Sequence, residues 1–211
     1  MGLQFQSSKK EICQYCLKGR EGIVQKRVEE ILDSIPKEEG FTVAALDESI
    51  FVHDVLVRRK IWVPKEIRPV VTTTGSHQKI YVFGTLTIDY NKQFFRQYHT
   101  FNEDVFLDYL KKLQKKTGKV ILFIDRAAQQ HYRSRKVRTY LEENKDVIRV
   151  TYFPKGSPEL NAVEECWRQG KYDLLVSKYY PRFIDLRKAI AAFYRTRRFN
   201  LDIVKYLLRC P

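Results

Sequence analysis

The chain has 211 residues, 44% of them hydrophobic, with 13 Tyr, 13 Phe and 2 Trp, which excludes an intrinsically disordered or fibrous protein and suffices for one domain with a buried core. No apolar run reaches the roughly 20 residues of a membrane-spanning helix. The N-terminus also lacks a secretory core, so we expect a soluble intracellular protein with no membrane partner. The net charge of +14 favours a polyanionic partner, usually nucleic acid, over a charge that only serves solubility.

The N-terminal segment is predicted to be helical and nearly neutral. Residues 1–46 hold 7 basic and 7 acidic side chains, so the positive excess lies in the rest of the chain. Apolar residues at near-helical spacing over residues 10–34 predict a helix that Pro36 ends. Cys13 and Cys16 form one C-x-x-C pair without a second pair at zinc-finger spacing, which favours two small apolar residues on a helix face over a zinc site.

From Phe41 onward the chain alternates predicted strands and helices. Runs of β-branched and aromatic residues predict the strands, and Asn102 and Gly118 predict the two ends of one helix. This order is typical of an α/β fold whose otherwise parallel sheet has an antiparallel portion. The predicted strands cover residues 41–49, 79–88, 93–101, 119–125 and 147–153, and the predicted helices cover 103–116, 132–144, a stretch opened by Ser157, and 183–209.

Two aspartates end hydrophobic strands. Asp47 follows the apolar residues 43–46, and Asp125 follows the apolar residues 120–124. Because side chains alternate along a strand, each aspartate shares a face with the residues two and four positions before it. If the two strands are parallel neighbours, both carboxylates emerge at the carboxyl edge of the sheet, where open α/β sheets place their sites. Taken singly, each aspartate could instead cap the following turn.

A third carboxylate comes from the segment SPELNAVEECW, residues 157–167. On a helical wheel its apolar residues form one stripe. Glu164 lies at the border of that stripe and can face the sheet, whereas Glu165 lies opposite the stripe and should face solvent. A solvated surface carboxylate remains the alternative interpretation of Glu164.

Three converging carboxylates would repel one another unless cations neutralise them. Oxygen ligands without His or Cys suit Mg²⁺ or Mn²⁺. Two such ions about 4 Å apart would activate water or a 3′-hydroxyl and stabilise the leaving oxygen in phosphodiester chemistry. We therefore expect a metal site built from Asp47, Asp125 and Glu164.

Several motifs together resemble those of one family. They are LDES (46–49), WVP (62–64), VFGTL (82–86), FID (123–125) and PKGSPELNAVEECW (154–167). Over about residues 41–198 the sequence resembles the catalytic domain of mariner-type DDE transposases, in particular the bacterial and archaeal insertion-sequence branch. The last motif is the most specific, because the family has there a turn rich in proline and serine, then Leu-Asn-Pro-acidic, then Trp.

The resemblance implies a fold, an activity and partners. The fold would be RNase H-like, a mixed five-stranded sheet flanked by helices, with residues 41–211 as the catalytic domain. The activity would be DNA cleavage and strand transfer, in which Asp47 bridges two Mg²⁺ or Mn²⁺ ions and Asp125 and Glu164 each hold one. The partners would be transposon ends and target DNA, the active form a homodimer, and the location the cytoplasm of a prokaryote, in association with the nucleoid.

The chain departs from the family pattern without losing a carboxylate. Arg126 stands where the family usually has Asn, Gln130 where it has His, with His131 one residue later, and Ala162 where it has Pro. The helix-turn-helix domains that recognise transposon ends have no counterpart, so we expect residues 1–40 to be a remnant of the linker in an excised catalytic domain or a truncated element. A catalytically inactive DNA-binding relic is therefore an alternative. A related nuclease, such as a ribonuclease H or a junction resolvase, is another.

Basic clusters near the predicted site are candidate DNA contacts. The favoured cluster follows Asp125, has Tyr132 and Tyr140 interleaved, and consists of Arg133, Arg135, Lys136 and Arg138. A second cluster, Arg58, Arg59 and Lys60, follows the first strand. A third, with neighbouring aromatic residues, consists of Arg195, Arg197 and Arg198. The histidines His53, His77 and His99 have no metal-ligand spacing and are expected to be structural.

The charge distribution predicts DNA binding with little sequence preference and a steep dependence on salt. If the chain neutralises ~5 phosphates, the log–log slope of affinity against salt should be about −4.5. Arg135→Ala combined with Arg138→Ala should make the slope shallower by up to about 2. Titrations of a terminal-repeat duplex and a scrambled duplex at several salt concentrations measure both quantities. A large preference for the repeat that persists at high salt would contradict the prediction.

Overall fold

A five-stranded sheet organises the part of the chain that the computed structural model describes. That part comprises residues 40–54, 72–88, 92–125, 134–153, 160–176 and 178–201, with the single residues 26, 66, 70 and 206. The strands are β1 (Thr42–Val52), β2 (Lys79–Thr87), β3 (Gln93–Tyr98), β4 (Val120–Ile124) and β5 (Ile148–Tyr152).

The sheet is mixed, which confirms the prediction. Its strand order is β3-β2-β1-β4-β5. β2 is antiparallel to both of its neighbours, β1 and β3, whereas β4 is parallel to β1 and β5 is parallel to β4. The central strand β1 pairs with β4 only as far as Leu46 but with β2 as far as Val52. Beyond Leu46, β1 therefore has a strand neighbour on one side only, among the residues described.

Within the described ranges, four helices flank the sheet. The first of them has the predicted ends, because the Asn102 side chain accepts a hydrogen bond from the backbone N–H of Val105 at 2.9 Å and Gly118 adopts a φ of 76°. An L-residue with a side chain rarely adopts that φ, so the glycine suits the helix end. The helices are α1 (Glu103–Thr117), α2 (Arg135–Glu143), α3 (Ala162–Leu175) and α4 (Phe183–Thr196).

Apolar side chains cover both faces of the sheet. The odd-numbered apolar residues at the start of β1 and within β4 pack under α3 and α4, and the even-numbered ones pack under α1 and α2. All five residues of β4 are buried, as expected of a strand covered on both faces. The two faces are thus fixed by the alternation of side chains along the strands, and so is the face on which Asp47 and Asp125 lie.

The N-terminal predictions lie outside the described residues, except that Lys26 is helical. Cys13 and Cys16 belong to this part, and the division of the chain at residue 40 stays a prediction. None of the helices within the described ranges is long and apolar enough to cross a bilayer.

Of the three histidines expected to be structural, one is buried. The His53 ring lies in the core, and its Nε2 donates a hydrogen bond to the carbonyl of Tyr180 at 2.8 Å. His77 and His99 are exposed, so packing in the core does not account for these two histidines.

Candidate active site

The parallel pairing of β1 with β4 brings two carboxylates to one edge of the sheet. Leu46 pairs with Ile124, and Asp47 and Asp125 are the next residue of each chain segment. Asp47 contacts α3 through Trp167, and the charge of Asp125 acts on Glu48 and Glu164. The register brings the two chain positions to the same edge of the sheet, and their joint role in a metal site stays a prediction.

The start of α3 is tied to the same point of β1. The Asn161 side chain accepts a hydrogen bond from the Val163 N–H at 3.1 Å, and its amide donates to the Leu46 carbonyl at 3.4 Å. Asn161 therefore caps the helix and joins it to the residue before Asp47. Glu164, in the first turn of α3, is placed beside the sheet edge as a result. The helix begins at Ala162 with Asn161 as its cap, and Ser157, the cap expected from the sequence, lies outside the described residues.

Asp47 is held by a tryptophan from α3. The indole Nε1 of Trp167 donates a hydrogen bond to Oδ2 of Asp47 at 2.8 Å, and Trp167 is only 2% exposed. Gly84 of β2 pairs with Asp47 and makes room for this ring. A Cβ at position 84 would lie 2.6 Å from the Trp167 ring and 2.5 Å from the Phe95 ring, closer than packing allows. The glycine is required by this close approach.

A fourth carboxylate, Glu48, joins the group although the sequence analysis did not select it. Burial and the charges of Asp125 and Glu164 raise the pKa of Glu48 to about 7. The alternation of β1 assigns Glu48 to the face opposite Asp47, so the pattern alone excluded it. The sequence signal for Glu48 is its place beside Asp47 in the motif LDES. This acidic pair lies where β1 continues past the last residue that pairs with β4.

We call Asp47, Glu48, Asp125 and Glu164 the carboxylate cluster. Burial and neighbouring negative charges raise the pKa values of Asp47, Glu48 and Glu164. Burial raises the pKa of Asp47 well above its usual range, as do the charges of Glu48 and Glu164, while the Trp167 hydrogen bond acts in the other direction. Partial burial also raises the pKa of Glu164, with Lys171 opposing and Asp125 reinforcing the effect. A cation bound among these side chains would relieve the repulsion.

The donor set fits a hard divalent cation by its chemistry. It offers carboxylate oxygens only, which suits Mg²⁺ or Mn²⁺ and disfavours zinc. In the described ranges, no three His, Cys, Asp or Glu side chains are already placed to hold one ion between them. Binding would therefore require carboxylates of the cluster to rotate toward a common point.

The helical wheel predicts that Glu164 borders the sheet and that Glu165 faces solvent, but the structure leaves Glu164 exposed and partly buries Glu165. Its carboxylate receives two hydrogen bonds from the Arg168 guanidinium and one from the Gln169 amide. The side chain is 18% exposed. These partners lower the pKa of Glu165, Arg168 most strongly, so the neighbouring glutamates of α3 differ in electrostatic environment.

The candidate DNA-binding residues are described only in part. Arg135 and Arg138 are exposed on α2. Lys136 is also exposed but pairs with Asp104 at 2.9 Å and Glu103 at 3.5 Å, so part of its charge is already balanced. Outside the described residues lie Arg58, Arg59, Lys60 and Arg133, as well as the departures from the family pattern at Arg126, Gln130 and His131.

A comparison with models of protein families identifies the family of this chain. A model described as DDE superfamily endonuclease matches residues 42–187, which contain the whole carboxylate cluster. The chain belongs to this family. No curated protein sequence matches it closely enough to count as a relative.

Solved transposase structures have the same fold. The chain superimposes on the mariner Mos1 paired-end complex with Mg (TM-score 0.62, 16% identity, covering 99% of this chain and 65% of that one) and on the Mos1 strand transfer complex (0.61, 15%, 99% and 62%). It also matches the catalytic domain of Mos1 mariner transposase (0.50, 15%, 98% and 90%). The fold is therefore RNase H-like, as expected. The chain spans about three fifths of the length of the Mos1 chains in those complexes.

Glu48 should make the metal-free protein less stable as the pH rises. Because its pKa is about 7 in the fold and 4.5 without the fold, its contribution is favourable below pH 4.5 and is lost by about pH 7. Glu48→Gln should remove about 2 kcal/mol of the fall in the free energy of unfolding between pH 5 and pH 8. Denaturant unfolding with chelator measures this, with Glu142→Gln on exposed α2 as the control. Parallel pH profiles for native protein and Glu48→Gln would contradict it.

Gly84→Ala should displace the Trp167 ring and destabilise the fold. The new Cβ overlaps two packed rings, so we expect a loss of about 1–3 kcal/mol and a weaker hold on Asp47. In a Trp62→Phe background the remaining tryptophan reports on position 167, and its emission should shift. Unchanged unfolding together with unchanged emission would show that the ring is not confined as described.

Proposed function

We propose that this chain is the catalytic domain of a mariner-type DNA transposase of the bacterial and archaeal insertion-sequence branch. One observation supports the proposal most directly: the parallel pairing of β1 with β4 brings the positions of Asp47 and Asp125 to one sheet edge, where the charge of Glu164 acts on Asp47, within the region that the family model matches. The Mos1 structures with this fold include a paired-end complex with Mg, another with Mn, and a strand transfer complex. These names support a metal-dependent reaction on DNA for this chain as well.

In this proposal Asp47, Asp125 and Glu164 would hold two Mg²⁺ or Mn²⁺ ions. The bound ions would supply activation of water or of a 3′-hydroxyl and stabilisation of the leaving oxygen. The protein contributes the position of the ligands. Asp47 and Asp125 stand on the rigid central strands, and Asn161 fixes the helix that presents Glu164. Rigid ligands keep the reacting oxygens aligned, which is where much of the rate enhancement originates.

Two further residues tune these ligands. The Trp167 indole binds Oδ2 of Asp47 and not Oδ1, and this hydrogen bond fixes the rotation of the carboxylate. Lys171, one turn after Trp167 on α3, offsets part of the negative charge on Glu164. Glu48 raises the negative potential of the cluster and is positioned to assist cation binding from the other side of β1.

Substrate binding in this proposal uses phosphate contacts from exposed cations. Arg135 and Arg138 on α2 are the described candidates, and they supply affinity without reading sequence. The partners would be transposon ends and target DNA, the active form a homodimer, and the location the prokaryotic cytoplasm at the nucleoid. A ribonuclease H or junction resolvase would share the cleavage chemistry but would not join a 3′-hydroxyl end to target DNA.

Asp47→Ala, Asp125→Ala and Glu164→Ala should each abolish Mg²⁺- or Mn²⁺-dependent nicking, because two carboxylates cannot hold both ions. Glu165→Ala is the matched control, since the neighbouring carboxylate turns to Arg168, and it should retain nicking with a stability loss below about 1 kcal/mol. Supercoiled plasmid relaxation measures cleavage, and joining of a labelled 3′-hydroxyl end to plasmid measures strand transfer.

The outcomes separate the alternatives. Nicking without joining would favour a nuclease, and DNA binding without nicking would favour an inactive relic. Retained nicking in any of the three carboxylate variants would remove that residue from the site. Equal losses in Glu164→Ala and Glu165→Ala would show that the two glutamates are not distinguished as the structure describes.

A further inference from the structure

A basic groove lies at the edge strand β3, two strands away from the strand that carries Asp47. Its volume is about 710 Å³. We call it the β3-edge groove and define it by its polar and charged lining residues on β3, α1, α4 and the segment after α4: Gln93, Arg96, Gln97, Lys116, Arg195 and Arg198.

The walls of the β3-edge groove are held together by glutamine side chains. The Gln97 amide donates to the carbonyl of Arg187 on α4 at 3.0 Å. The Gln93 amide donates to the carbonyl of Arg197, and its Oε1 accepts from the backbone N–H of Phe199 at 3.3 Å. These bonds fix α4 and its C-terminal extension against β3. The groove is therefore part of the folded framework.

Four cations from three parts of the chain surround this space. Arg96, Lys116, Arg195 and Arg198 are all exposed, and no lining residue is acidic. None of the four has an ion pair with another described residue; Asp108, whose charge reaches Arg96, is already bound to Lys112 and Tyr98.

The positions of these cations bring like charges together. Lys116 lies 5.3 Å from the Phe94 ring centroid and donates a hydrogen bond to the Gln93 carbonyl at 2.9 Å. Burial lowers the pKa of Lys116, and the charges of Arg198 and Arg96 lower it further. Concentrated positive charge of this kind is relieved by an anion with several charges at regular spacing.

We propose that the β3-edge groove binds the phosphate backbone of duplex DNA, at a site separate from the carboxylate cluster and from the basic helix α2. The proposal rests on the proposed function only in taking DNA as the polyanion. Two members of the third basic cluster, Arg195 and Arg198, thus line the groove at the β3 edge, where they would contact a second stretch of DNA backbone rather than the one beside the carboxylates.

The first test is the salt dependence of binding without metal. Lys116→Ala, Arg195→Ala and Arg198→Ala combined should make the log–log slope for a random duplex shallower by about 2 to 2.7, if each cation contacts one phosphate. The control combines Lys115→Ala, Lys119→Ala and Lys145→Ala, which removes the same charge from exposed positions outside the groove. Equal changes in the two triple variants would overturn the proposal.

The second test locates the DNA. Ala191 lines the groove, whereas the adjacent Ala192 is exposed on α4 and does not line it. Replacing Ala191 by p-benzoylphenylalanine should give several-fold more photo-crosslinking to a labelled duplex than the same replacement of Ala192. Equal crosslinking would overturn the proposal. Both tests are made with chelator present, so a failure of the cleavage proposal leaves them interpretable, and their failure leaves the cleavage assays unaffected.

Discussion

The parallel pairing of β1 with β4 is the constraint on which the site depends. It sets Leu46 beside Ile124, so the next residue of each segment, Asp47 and Asp125, comes at the same edge of the sheet. Apolar packing on both faces of these strands fixes the register, because a slip of one residue would move every side chain to the wrong face. The electrostatic repulsion between Asp47 and the neighbouring carboxylates is therefore offset by the apolar packing that holds the strands in place.

Much of this arrangement could be predicted from the sequence. Alternation along two apolar runs assigned Asp47 and Asp125 to one face, whereas the helical wheel was wrong about which of Glu164 and Glu165 is the more exposed. These patterns are local, and the buried strands leave little freedom in how they are satisfied. The order of strand and helix patterns predicted the mixed sheet. The two ends of α1 were predicted from equally local signals, the Asn102 cap and the Gly118 turn.

The features that the sequence did not predict depend on tertiary contacts. Two cap signals precede α3, and Asn161 prevails because its side chain also reaches the carbonyl of Leu46, 115 positions away. Glu48 was missed because alternation takes no account of where a neighbouring strand stops. Lys136 looked like a free cation, yet it pairs with Asp104 and Glu103 from a helix some 30 positions earlier. Each of these contacts joins residues whose sequence separation hides them.

The Asn161 side chain couples the first turn of α3 to the strand residue before Asp47. The same side chain receives the Val163 N–H and donates to the strand residue that precedes Asp47. Fraying of this first helical turn would release Glu164 from the sheet edge while leaving the strands intact. The position of Glu164 beside the sheet would therefore depend on a local opening equilibrium, and hydrogen exchange at the Val163 amide would report how often this first turn opens.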